Sequence, residues 1–135
     1  MIKRIRKRIK KKLHFLHVGK TGGSAIKSVL EKYKETSKYL LVLHGHGTSL
    51  RAVPEGESVV FFLRDPVSRF ISGFYSRQRK GQPRFYSEWT SQEKEVFETF
   101  ATPDELASSL ASESSENHAL AIKAMSDVQH LRHYD

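Results

Sequence analysis

Apolar residues fall along this chain in two rhythms, short unbroken runs and stripes at helical spacing. The runs are Leu13 to Val18 (LHFLHV, interrupted by His14 and His17), Tyr39 to Leu43 (YLLVL) and Val59 to Leu63 (VVFFL). Each has the length and flanks of a buried strand, and such runs suit a parallel sheet covered on both faces. Between the first two, Ser24 to Tyr33 predicts a helix with Ala25, Ile26, Val29 and Leu30 on one side. After Arg64, Asp65 is placed to cap a helix opened by Pro66, with Val67, Phe70, Ile71 and Phe74 as its stripe. The second half reads as helical. Thr90 with Glu93 and Thr102 with Glu105 each fit a capping box, and Pro103 stands at a first helical position. Ser108 to Asn117 reads as a loop or frayed helix end, and a last helix is expected over His118 to Leu131. No internal repeat or domain boundary is evident. The alternation predicts an α/β fold, a parallel sheet flanked by helices, with ligand at the carboxyl ends of the strands.

That rule sends three polar stretches to one sheet edge: Gly19 to Ser24, His44 to Thr48, and the strand exit at Arg64. In Gly-Lys-Thr-Gly-Gly-Ser, glycines let backbone N–H groups crowd together, while lysine and hydroxyls add a charge and donors. The combination suits an anion, a phosphate above all. It is not a Walker A loop, because the first glycine of that motif would fall at His14 and Lys20 precedes the Gly-Gly pair. Arg64 supplies a second cationic centre, and Ser72 lies about 9 Å along the helix axis from Pro66. Ser68, Arg69, Ser72 and Ser76 are expected on the helix face away from the apolar stripe.

Charge changes the picture at one end only. The chain carries a net +8, yet Met1 to Lys12 (MIKRIRKRIKKK) holds eight of its Lys and Arg residues and no acid. The remainder is formally neutral. The excess thus defines a basic arm over residues 1–12, followed by a domain over 13–135, and no specific nucleic-acid surface is expected on that domain. Ile2, Ile5, Ile9 and Leu13 recur at helical spacing among the cations, which suits contact with an anionic membrane surface. There are no cysteines, hence no disulfide framework and no thiolate metal site. No run approaches the roughly 18 apolar residues of a membrane span, and the basic start lacks the apolar segment of a signal peptide. A cytoplasmic protein, with peripheral membrane contact through its arm, is the expectation.

The segments HVGKTGGSAI (His17 to Ile26) and FFLRDPVSRFISGFYSR (Phe61 to Arg77) together resemble the sulfotransferase family, in its carbohydrate-type branch. The first is similar to that family's 5′-phosphosulfate loop, the second to its 3′-phosphate strand-turn-helix. The resemblance implies a P-loop-like α/β architecture and 3′-phosphoadenosine 5′-phosphosulfate as donor. It also implies a hydroxyl-bearing acceptor, such as a glycan. Lys20, Thr21, Gly22, Gly23, Ser24 and Ala25 would hold the phosphosulfate end, and Arg64 and Ser72 the 3′-phosphate. Two separated anion sites suit a nucleotide phosphorylated at both ends.

HGHGT, His44 to Thr48, lies between the two motifs and resembles the HGH segment of glycan 2-O-sulfotransferases. Sulfuryl transfer to an alcohol requires the hydroxyl proton to leave, and imidazole suits that task near neutral pH. His46 matches the base best, with His44 in a supporting role, while Lys20 neutralises the departing phosphate. No metal is required. His130 and His133 lack a third ligand, and His14 and His17 read as structural. Members of the family are generally longer, so the usual C-terminal portion is expected to be missing. Two further classes are compatible with the motifs: a non-catalytic nucleotide-binding module and a nucleic-acid-binding protein acting through the arm. A nucleotide kinase is disfavoured by the loop spacing.

Overall fold

Strand β1, Lys11–Phe15, is the centre of a three-stranded parallel sheet ordered β2-β1-β3. Its partners are β2, Tyr39–Leu43, and β3, Ser58–Val60. The computed structural model describes residues 10–36 and 38–131. Most of the basic arm, residues 1–9, and His133 lie outside the described residues. The chain divides into two compact units, Met1–Leu63 and Arg64–Asp135.

In the first unit the strand ends coincide. Phe15 is paired with both Leu43 and Val60, and the last bonds run from Leu16 N to Val60 O and from His44 N to Phe15 O, each 3.0 Å. The carboxyl ends of all three strands therefore form one edge, as the α/β pattern requires. The same register shortens two expected strands. β1 does not reach Val18: its ladder with both neighbours ends at Phe15, followed by the bond from Leu16 N to Val60 O. β3 stops at Val60, and Phe61, Phe62 and Leu63 lie outside the ladder, 45%, 45% and 77% exposed. Helix α1, Gly23–Leu30, packs on β2 and continues into a 3-10 turn over Glu31–Tyr33. Its buried stripe is narrower than expected: Ile26 and Leu30 are half-buried, whereas Ala25 and Val29 are exposed. The chain then returns along β2, where Leu41 N donates to Lys34 O and Thr36 N to Tyr39 O. That return occupies the edge of β2 and limits open strand pairing there.

The second unit is helical: α2, Pro66–Gln78; α3, Ser91–Thr99; α4, Pro103–Ala111; and α5, His118–Asp127. Their starts follow the sequence signals. Asp65 accepts from Ser68 N at 2.8 Å ahead of Pro66. Thr90 and Glu93 form a full capping box. Thr102 accepts from Glu105 N, but the Glu105 carboxylate reaches Ala101 N, one residue before the cap, so that box is open. The core gathers Phe74, Val96, Phe97, Phe100, Leu106, Ala121, Ala124, Val128 and Leu131.

Helix α2 is rotated from the expected orientation. Phe70 and Phe74 meet the core, but Val67 is 65% exposed, Ser76 of the expected polar face is buried, and Arg77, in line with Phe70 and Phe74, is buried too. Two contacts explain this. Gly73 lies so close to the His130 carbonyl that a Cβ there would come within 2.7 Å of the oxygen. Arg77 meets Glu93 through Nε to Oε1 at 2.7 Å and Nη2 to Oε2 at 2.6 Å. A paired guanidinium can sit where a stripe analysis expects only apolar atoms.

Candidate active site

The loop leaving β1 gains its shape from backbone conformation. Lys20 and Gly22 have φ of 63° and 82°, and the Thr21 hydroxyl donates to Val18 O at 2.7 Å, closing the turn. Gly22 is the cap residue of α1, with no side-chain cap bond, and no acidic residue stands in the first turn. The helix start thus keeps amide donors and a partial positive charge for an anion, in the position expected for Lys20 to Ala25. Gly23 has a separate reason to be glycine: a Cβ there would overlap the imidazole of His17. The same imidazole meets His46, its ring centroid 3.8 Å from that of His17 and the two planes tilted by 34°. His17, expected to be structural, is therefore the piece that joins the β2 loop to the α1 start.

The second histidine of the loop pair has different company. His14 is buried, with 5% of its surface exposed, and its Nδ1 lies 2.8 Å from Nε2 of His44. The two rings stack at 19° with centroids 5.1 Å apart. On its other side His14 Nε2 is hydrogen-bonded to Oε2 of Glu57, just before β3, and Lys12 Nζ approaches Oε1 of the same carboxylate at 3.4 Å. The hydrogen bond from His14, opposed by burial and helped by Lys12, holds the Glu57 carboxyl below its ordinary range. Partial burial, with the nearby His14 ring and the Lys27 ammonium, pushes His44 below the usual imidazole value. His44 and His46 thus emerge from one loop into two networks, one running to Glu57 and one to the α1 start.

Sequence reasoning read His14 and His17 as structural and did not single out Glu57. The available signal was two histidines inside an otherwise apolar strand, which only the pairing of β1 with both neighbours turns into a network.

In the second unit Arg64 and Ser72 stand at the start of α2 and two turns along it. Arg64 is exposed, and its Nε donates to Ser68 Oγ at 2.8 Å. Ser72 is half-buried on the same helix. Among the described residues no group of three or more His, Asp or Glu side chains is arranged to hold a metal ion. No described helix is long and apolar enough to cross a membrane.

A parallel sheet whose first strand runs through a glycine turn into a helix without a side-chain cap, with histidines at the same edge, defines an α/β fold. The sequence model of the sulfotransferase family matches residues 4–134, nearly the whole chain, and the chain belongs to that family. No curated protein and no solved structure matches it.

Proposed function

We propose that this sulfotransferase moves a sulfuryl group from 3′-phosphoadenosine 5′-phosphosulfate to a hydroxyl of a carbohydrate acceptor. The observation that carries the reading is the start of α1. There a helix end without a side-chain cap, the left-handed Lys20 and the close, tilted rings of His17 and His46 come together around Gly23, against which the His17 ring is packed. In this reading Lys20 to Ala25 hold the phosphosulfate, through backbone N–H groups and the Lys20 ammonium. Arg64 and Ser72 take the 3′-phosphate, as their match to the family motif suggests. The segment His44–Gly45–His46 supplies the base.

During transfer the acceptor oxygen forms a bond to sulfur as the bond from sulfur to the 5′-phosphate oxygen breaks. The leaving electron pair ends on that phosphate, where a fixed cation and oriented amides stabilise it more than they stabilise the ground state. Lys20→Ala is therefore expected to weaken both donor binding and turnover. Calorimetric titration with adenosine 3′,5′-bisphosphate against ATP tests the donor assignment. Tighter binding of the bisphosphate supports it, and preference for ATP overturns it.

A further inference from the structure

We propose that the turn after α2, residues 79–86, is a contact surface for an anionic lipid bilayer. Phe85 and Tyr86 enter the boundary between headgroups and acyl chains, while Arg79 and Arg84 meet the lipid phosphates. The surface lies wholly within the helical unit, and its assignment does not depend on the sulfuryl-transfer reading.

Charge singles this turn out. From Arg64 to Asp135 the chain has nine Lys and Arg against eleven Asp and Glu, so this half is slightly acidic as a whole. Yet Arg77, Arg79, Lys80 and Arg84 fall within eight residues, and no acid occurs between Asp65 and Glu88. Two of the four cations are committed inside the protein. Arg77 is buried against Glu93, and Lys80 Nζ lies 2.5 Å from Glu88 Oε1 and 4.7 Å from the centre of the Trp89 ring. Arg79 and Arg84 are exposed, and neither has an acidic partner among the described ion pairs.

The turn is also a fixed projection. Gly81 N donates to Ser76 O and Ser87 N to Lys80 O, each at 2.8 Å. Arg77 donates from within to the carbonyls of Ser87 and Glu88 at 3.4 and 3.3 Å. With its base tied in this way, the turn leaves five consecutive residues, Gln82 to Tyr86, exposed. The Phe85 ring is seated on Gly81, where a Cβ would come within 2.4 Å of it, yet the residue is 50% exposed. Tyr86, its hydroxyl bonded to Glu88, is 61% exposed. A preordered turn gives up little conformational freedom on binding. Aromatic rings beside arginines are the chemistry of a bilayer interface, with rings at the acyl boundary and guanidinium groups at anionic headgroups. A linear polyanion is better served by a longer track of cations than two. The basic arm expected from the sequence offers a second contact of the same sign, and stable peripheral binding takes two such signals.

The test uses the full chain with vesicles of phosphatidylcholine, alone or mixed with phosphatidylserine. Trp89 is the only tryptophan and lies under Lys80 at the base of the turn, so it reports on this surface directly. Lipids brominated on their acyl chains are expected to quench its fluorescence when phosphatidylserine is present, and not in phosphatidylcholine alone. Arg79→Gln with Arg84→Gln is expected to lower partitioning about 30-fold, as two basic residues leave the surface. Phe85→Ser with Tyr86→Ser is expected to lower it about 10-fold. Should the aromatic variant unfold, the arginine variant, which changes only exposed side chains, still decides the matter. Partitioning retained by the arginine variant overturns the proposal. Vesicle binding that leaves Trp89 unquenched gives the contact to the basic arm and overturns it too. Heparin binding through Arg79 and Arg84 without vesicle binding assigns the surface to a linear polyanion, and the bilayer reading falls.

Discussion

Replacing Glu93 by Gln removes one charge from the most completely buried ion pair described in the chain, and its cost is calculable. Arg77 and Glu93 side chains are only 2% and 3% exposed, and two parallel N–H···O bonds of 2.7 and 2.6 Å join them. Glu93 does a second job at the start of α3, accepting from Thr90 N at 3.1 Å while its own N–H meets the Thr90 hydroxyl. Burial alone would raise the Glu93 carboxyl, yet the bonds from Arg77 and Thr90 outweigh it and hold the group below its ordinary value. Glutamine can still close a capping box, so the substitution isolates the charge. It leaves a buried guanidinium uncompensated and turns an amide NH₂ toward a guanidinium donor. Losing one partner of a buried pair costs about 3–5 kcal/mol. A helical unit of this size holds only about 5–10 kcal/mol in all, so the variant should be close to unfolding.

Urea denaturation followed by tryptophan fluorescence reads the effect where it arises. Trp89 is the only tryptophan, and its indole N–H donates to the Arg77 carbonyl at 2.8 Å. The midpoint should fall sharply with the slope nearly unchanged. Glu93→Ala should lose about 1 kcal/mol more through the broken cap. The double variant Arg77→Met with Glu93→Leu should recover most of the loss, since apolar replacements of a buried pair are often neutral. A loss under about 1 kcal/mol for Glu93→Gln, or a double variant as unstable as the single one, would refute the reasoning.

In nucleotide binding, Arg64→Ala should remove most of the preference for adenosine 3′,5′-bisphosphate over adenosine 5′-monophosphate, about 1.5–3 kcal/mol by calorimetry. Equal affinities in the unmodified chain would dismiss the second anion site. Gly23→Ala should force the His17 ring aside at a cost of about 1–3 kcal/mol in thermal stability, with weakened bisphosphate binding; unchanged values for both would show that the contact yields freely. Acid should loosen the sheet unit in two stages, read by hydrogen exchange at β1 amides. His44 has a lowered folded value, so stability declines as pH falls through the ordinary imidazole range, where the unfolded ring binds a proton first. Glu57 is also lowered, so its contribution is present above the usual carboxylate value and is lost as pH falls through the folded one. Constant protection through the ordinary imidazole range would contradict the His44 shift, and no further loss below the ordinary carboxylate value would contradict the Glu57 shift.

The parts of the fold legible in sequence are those decided by neighbours along the chain. Tyr39–Leu43 is a strand with the bounds its apolar run gives, and Asp65, Thr90 and Thr102 start helices by bonds to residues three positions on. The α2 face was not legible, because the pair that turns Arg77 inward comes from Glu93, sixteen residues later. A helical stripe records hydrophobicity but not the identity of a distant partner. The overestimates of β1 and β3 share a cause. Phe61–Leu63 is as apolar as any strand, yet ladder length depends on where β1 turns away, and that is set by Val18 to Gly22.

The same distinction runs through the candidate site. Lys20 to Ser24 announce an anion loop because their chemistry is local: glycine, a cation and hydroxyls within one turn. His14 announces nothing, because one histidine in a buried strand has many structural uses. What gives it two polar partners is the sheet order β2-β1-β3, which places the central strand between a loop that begins with His44 and one that ends with Glu57. Either edge position would leave His14 with one neighbouring strand, and its ring would be bonded on only one side. A central strand is thus a physical requirement of the His44–His14–Glu57 network, and the parallel register, with Phe15 opposite both Leu43 and Val60, fixes which residues flank it.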